Sequence, residues 1–174
     1  YEVDVLEKNA QLGGRARQLS ESGFTFDMGP TWYWMPDVFE RFFNDFDKTT
    51  SDYFKLEKLD PGYRVYFDKL DWIDIDANLN KIIEQFEAVE IGAGKKLEKF
   101  INKAKSNYDI AIKKLVYKPG ITPLELITKD TVFELKQFFL SVHHEVKRKF
   151  KNKRLRQILE FPVLFLGAKP SNTP

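Results

Sequence analysis

The feature that most constrains this chain lies at its start. Val3, Val5 and Leu6 form a short apolar run, largely β-branched, that ends in the carboxylate of Glu7; after five intervening residues comes Gly13-Gly14-Arg15. A strand that ends in an acidic side chain is how the second strand of a βαβ nucleotide-binding unit offers an acceptor to the adenosine ribose hydroxyls. The glycine-rich turn that carries the pyrophosphate lies about 20 residues earlier in such units. Here the sequence starts at Tyr1, without a Met, and the expectation is a piece truncated at both ends. A strand-end glutamate taken alone is more often a solvated turn residue. The glycine pair and arginine at this offset favour the ribose.

The same spacing resembles the FAD-binding flavoprotein superfamily of amine oxidases and carotenoid desaturases. The run Gly13-Gly14-Arg15-Ala16-Arg17, then Gly23-Phe24-Thr25-Phe26-Asp27-Met28-Gly29-Pro30-Thr31-Trp32, is similar to its bacterial phytoene desaturase branch. So is Trp34-Met35-Pro36-Asp37-Val38-Phe39-Glu40-Arg41-Phe42-Phe43, and Leu155-Arg156-Gln157 through Phe161-Pro162-Val163-Leu164-Phe165-Leu166-Gly167 resembles that family's substrate domain.

The resemblance implies an α/β chain: a partial Rossmann-like FAD-binding unit in residues 1–35, then a mixed antiparallel-strand and helical substrate domain in 36–174, helical from about 76. It implies FAD, with Glu7 on the ribose, Lys8 and Arg15 offering positive charge, and Gly13 and Gly14 letting backbone approach the cofactor. Gly29, Pro30 and Thr31 would belong to the stretch beneath the flavin ring. Trp32 and Trp34 would line the path of a phytoene-like polyene hydrocarbon. The implied reaction is oxidation at a CH–CH bond, hydride passing to flavin and a proton being lost, so the redox chemistry belongs to the cofactor. The isolated piece is expected to be inactive. Each residue also has a plainer reading: a surface ion pair for Arg15, an ordinary hairpin exit for Gly29–Thr31, and core packing for the Trp32-Tyr33-Trp34 cluster.

Hydrophobic residues at 43% and aromatics at 15% mark a folded chain rather than a disordered one. The net charge of +2 says little, but its distribution is uneven. From Asp37 to Glu90 there are 14 acidic and 7 basic residues, whereas Lys136 to Arg156 holds 8 basic residues and one acidic, Glu145. Zero cysteines exclude disulfides, thiolate metal sites and cysteine nucleophiles, and fit a reducing compartment.

Along the chain, Glu2–Glu7 reads as a buried strand, and Arg17–Leu19 with Phe24–Phe26 as a hairpin turning at Glu21-Ser22-Gly23. Pro36 starts a helix with Val38, Phe39, Phe42, Phe43 and Phe46 on one face. Strands are expected at Phe54–Leu59, Tyr63–Phe67 and Trp72–Ile75. Helices follow at Leu79–Val89, from about Gly94 to Tyr117, at Thr131–Ser141, at Val142–Phe150 and at Lys153–Leu166, the last bent or ended by Pro162.

No catalytic acid or base is assigned; Glu125 and Asp130 are ionisable positions in the helical part. His143 and His144 are adjacent, point about 100° apart on a helix and cannot share a ligand, so no metal site is expected. The basic run Lys147–Arg156 beside apolar Ile158–Leu166 suits peripheral contact with an anionic bilayer, or a solvated helix face. No recognition motif for nucleic acid accompanies it. The expected location is cytoplasmic and peripherally membrane-associated. Competing readings are another amine-oxidase-like flavoprotein, a membrane-surface binding module without catalysis, and a truncated product with no function.

Overall fold

A computed structural model of the chain describes residues 2–29, 32–122, 128 and 140–173. They divide into two compact units, Tyr1–Glu57 and Lys58–Pro174. The expected helix over Thr131–Ser141 lies almost wholly outside the described residues, as do Glu125 and Asp130.

In the first unit, residues 2–7 are irregular and exposed rather than a buried strand; Leu6 is 95% exposed. A strand exists only through a ladder to a neighbour, and none of the described strands pairs with this run. The hairpin does form. Strands β1 (Gln18–Glu21) and β2 (Phe24–Asp27) run antiparallel with Leu19 opposite Phe26 and Glu21 opposite Phe24. Ser22 and Gly23 have φ of 53° and 82°, the pair of positive values that a two-residue turn needs to match strand twist.

Helix α1 (Pro36–Asn44) begins with proline in its first turn, where the missing N–H costs nothing. The turn Thr50–Asp52 is held by reciprocal bonds between Thr49 and Asp52 and is pinned to α1 by Glu40, which accepts from the Thr50 hydroxyl at 2.6 Å. Aromatic rings do the remaining packing: Tyr33 against Phe39 at 4.7 Å and Phe43 against Tyr53 at 4.8 Å. Phe54 joins Tyr33 and Phe43 there, and its N–H donates to Thr50. The strand expected over Phe54–Leu59 is therefore absent: its first residue is spent on the turn and the aromatic cluster. Phe39, Phe42 and Phe46 remain exposed, and none of the described residues of this unit is buried.

The second unit carries the core. Strands β3 (Tyr63–Asp68) and β4 (Asp71–Ile75) pair antiparallel, and alternate residues Tyr63, Val65, Phe67 and Ile73 pack inward. Helices α2 (Leu79–Val89) and α3 (Ala93–Ile110) follow, α3 ending in a π-helical turn, Ala111–Leu115, short of Pro119-Gly120. Helices α4 (Val142–Lys149) and α5 (Lys153–Glu160) complete the layer, and at Pro162 the chain tightens into the 3₁₀ segment Phe161–Leu166. Ile75, Phe86, Ala93, Leu97, Val146, Phe150, Leu155 and Ile158 form the buried cluster, with Phe86 edge-on to Phe150 at 6.0 Å.

Side chains cap each of these helices. Asn78 accepts from Asn80 N–H, Ser141 from His144 N–H and Asn152 from Arg154 N–H. At α3 the cap comes from the preceding helix: Glu87 accepts Gly92 N–H at 2.7 Å and Gly94 N–H at 2.9 Å. Those two backbone bonds hold the Glu87 carboxyl below the usual carboxylate range. Gly94 permits the approach, since a Cβ there would stand 2.9 Å from the Ile83 carbonyl oxygen.

One long-range tie is Glu90, just after α2. Its carboxylate accepts Lys151 N–H and Asn152 N–H, each at 2.8 Å, and pairs with Lys96 at 2.9 Å, while its side chain is only 12% exposed. Burial pushes this carboxyl up, but the Lys96 ammonium and the two backbone donors outweigh it, and the net position is below the usual range. A depressed folded-state pKa gives stability that is present above the unfolded value, roughly 4.3, and is lost as pH falls through the folded value. Glu90→Gln should therefore lower the thermal midpoint at pH 7 and flatten the loss of stability below about pH 4. Equal acid sensitivity of variant and parent in a pH series of melts would contradict the assignment.

Candidate functional site

The Gly13-Gly14-Arg15 segment owes its shape to two left-handed glycines, with φ of 108° at Gly13 and 53° at Gly14. Gly14–Ala16 then closes a single 3₁₀ turn, with Ala16 N–H donating to Gly13 carbonyl at 2.8 Å. The exit of β2 returns to this turn: Met28 N–H donates to the Arg17 carbonyl at 3.0 Å. Gly29 then runs against Arg15 so closely that a Cβ on Gly29 would overlap the Arg15 carbonyl oxygen. The close approach seen at Gly29 is to the backbone of the glycine-arginine turn.

Together these segments line an open groove of about 810 Å³, formed by Asn9, Gly14, Arg15, Ala16, Arg17, Met28 and Gly29. Of the residues singled out in the sequence, Gly14, Arg15 and Gly29 meet in this groove, while Gly13 is not among its lining residues. Glu7 stands two residues before the Asn9 wall and Lys8 is exposed between them. Pro30 and Thr31 lie outside the described residues. Asn9 and Met28 are additions that composition did not mark. For Asn9 a signal existed: a carboxylate two residues before an asparagine invites a local hydrogen bond. Glu7 Oε1 accepts both the Asn9 N–H and the Asn9 Nδ2–H at 2.8 Å.

Trp32 and Trp34 stack with ring centroids 6.4 Å apart, Trp34 being 48% exposed. Tyr33, between them in sequence, turns instead into the cluster with Phe39 and Phe54.

In the second unit, His143 Nδ1 lies 2.9 Å from Glu160 Oε1 and His144 is exposed. Among the described residues no group of three His, Asp or Glu side chains could hold a metal ion. The basic run is partly spent. Arg148 and Lys149 pair with Glu145, and Arg154 pairs with Asp71 while lying over the Phe67 ring. The apolar side of α5 is spent too, since Leu155 and Ile158 are buried in the core. What stays open is the tip Leu164-Phe165-Leu166, with Leu166 at 75% exposure. No helix among the described residues is long and apolar enough to cross a membrane.

Residues 1–49 match the NAD(P)-binding Rossmann-like domain family. Within that stretch the described strands form the β1–β2 hairpin alone. Over 99% of its length the chain is 39% identical to a carotenoid 3,4-desaturase of Haloarcula japonica, covering 36% of that protein. It is also 30% identical over its whole length to 4,4'-diapophytoene desaturases (4,4'-diaponeurosporene-forming) of Staphylococcus haemolyticus and Staphylococcus aureus, covering 35% of each. The chain thus spans about a third of the length of the curated relatives it matches.

Gly29→Ala should spread the turn from the hairpin exit, because the overlap falls on backbone rather than on a flexible side chain. Amide exchange at Met28, whose N–H bonds Arg17, is expected to speed up about tenfold or more, the equivalent of about 1.4 kcal/mol. Unchanged protection would mean that the close approach does not hold the groove.

Proposed function

The chain belongs to the carotenoid desaturase family, and on that premise we propose that it supplies part of the FAD site and part of the polyene path of an oxidoreductase acting on CH–CH bonds. The observation that carries the reading is the whole-length similarity to relatives named as desaturases of carotenoid and diapophytoene.

The groove of the first unit suits a dinucleotide by its donor set. Glu7 is an acceptor-only carboxylate for ribose hydroxyls, while Arg15 brings a guanidinium to a turn of small residues where a pyrophosphate can come close to backbone. Glu7, Lys8, Gly13, Gly14, Arg15 and Gly29 would hold the adenosine and pyrophosphate side of FAD, with Pro30 and Thr31 continuing toward its ring. When bound, the flavin supplies a two-electron acceptor for hydride. The chain's own part is to bind, orient and exclude water. Trp32 and Trp34 offer a stacked aromatic surface to a conjugated hydrocarbon, which forms dispersion contacts and needs no hydrogen bonds. No side chain is assigned as proton donor or acceptor.

A bound-flavin spectrum of the full-length natural protein, together with chromatography of its products from a C30 or C40 polyene, tests this reading. Flavin absorbance and new conjugated double bonds are expected. Glu7→Ala should weaken FAD binding about tenfold, the worth of a charge-assisted hydrogen bond. A flavin-free, inactive full-length protein, or an amine as the oxidised substrate, would overturn it.

Such a substrate resides in lipid, which favours peripheral contact with a membrane surface. Leu164, Phe165 and Leu166 are exposed, and Lys147, Lys151, Lys153 and Arg156 carry no ion pair among the described residues. Binding to vesicles containing anionic lipid should fall as salt rises, and Leu166→Asp should reduce it about tenfold. Equal binding to neutral vesicles at all salt concentrations would exclude the electrostatic part.

A further inference from the structure

Glu7 and Asn9 form a local device whose consequence follows if Glu7 binds ribose, a premise that rests on the function proposed above. Both donors of Asn9, its backbone N–H and its side-chain Nδ2–H, converge on the same carboxylate oxygen, Oε1, at 2.8 Å each. Two donors fill the two in-plane lone pairs of one carboxylate oxygen. Among the described residues no hydrogen bond reaches the other oxygen, Oε2. Asn9 also lines the groove that contains Gly14, Arg15 and Gly29, so the asparagine faces the same space in which the phosphate-binding residues meet.

We infer that Asn9 is a positioning residue for the ribose-binding carboxylate: it clamps Glu7 by Oε1 and leaves Oε2 to accept the vicinal hydroxyls of the adenosine ribose. The physical gain is preorganisation. An exposed glutamate has three freely rotating side-chain torsions, and ordering it on binding costs about 0.5–1.5 kcal/mol. A carboxylate already held by two charge-assisted hydrogen bonds meets less of that cost when ligand arrives. The clamp also chooses which oxygen is offered, which a lone glutamate at the same position does not.

The test uses the full-length natural protein, with FAD as the probe and flavin fluorescence as the readout. Asn9→Ala removes one of the two clamping donors and should weaken FAD about threefold to fivefold, part of the ordering cost that the clamp offsets. In a Glu7→Ala background the same change should cost little further, because Asn9 then has no carboxylate to hold. The thermal midpoint without flavin should stay within a degree or so, Asn9 being exposed, whereas a merely structural role would lower it. Affinity of Asn9→Ala within about twofold of the parent would overturn the inference while leaving the FAD reading standing. Full additivity with Glu7→Ala would also overturn it. A parent protein that takes no FAD overturns the functional premise and the inference together.

Discussion

The Glu90 carboxylate is the contact on which the folded second unit depends. It follows α2 and accepts the N–H groups of Lys151 and Asn152, 61 and 62 residues further along the chain. Those two donors open α5, where no intrahelical acceptor exists for them. Left unmet, the part-buried Asn152 N–H would cost about 1–3 kcal/mol, whereas water could serve the exposed Lys151 N–H. With them satisfied, the α4–α5 corner lies against α2, and Phe150 reaches Phe86 in the centre of the core. Lys96 neutralises the charge that the corner would otherwise bury. One carboxylate thereby closes a loop and holds the chain just ahead of the Asn152 cap of α5.

The first unit obeys a different economy. Its order is local: a tight hairpin, a capped 3₁₀ turn, ring-to-ring contacts within 25 or so residues, and glycines whose backbones nearly touch those they face. Its described residues include none that is buried, so its shape is set by hydrogen bonds and steric fit more than by removal of apolar surface from water. The groove at Gly14, Arg15 and Gly29 draws its shape from that arrangement. Main-chain geometry at Gly13, Gly14 and Gly29 defines it, and backbone positions move less than long side chains do.

Helix boundaries were readable because their chemistry is local. Leu79–Val89 is bounded by the Asn78 cap, α1 by Pro36, and α5 by Asn152 and Pro162, each acting within a turn of its own position. The Ser22-Gly23 turn was readable for the same reason. Strands depend on partners: Glu2–Glu7 and Phe54–Leu59 have strand-like composition, but no described strand pairs with either and neither forms one. The amphipathic segment Lys147–Leu166 likewise depends on distant partners. Periodicity identifies an apolar face, yet only packing reveals that Leu155 and Ile158 face the core while Leu164–Leu166 stay open.

By itself the sequence determined the elements whose signals sit within four residues of their effect, and the pattern of Glu7, Gly13-Gly14-Arg15 and Gly29 that points to a dinucleotide. Tertiary structure alone decided which of those residues meet. It set Gly29 on the Arg15 carbonyl, folded Asn9 onto Glu7, and sent Glu90 to a helix start far along the chain. The physical reason is range. Caps, turns and backbone conformations are set by short covalent connections, whereas a groove or a core is a choice among many distant contacts that only the complete balance of packing and hydrogen bonding selects.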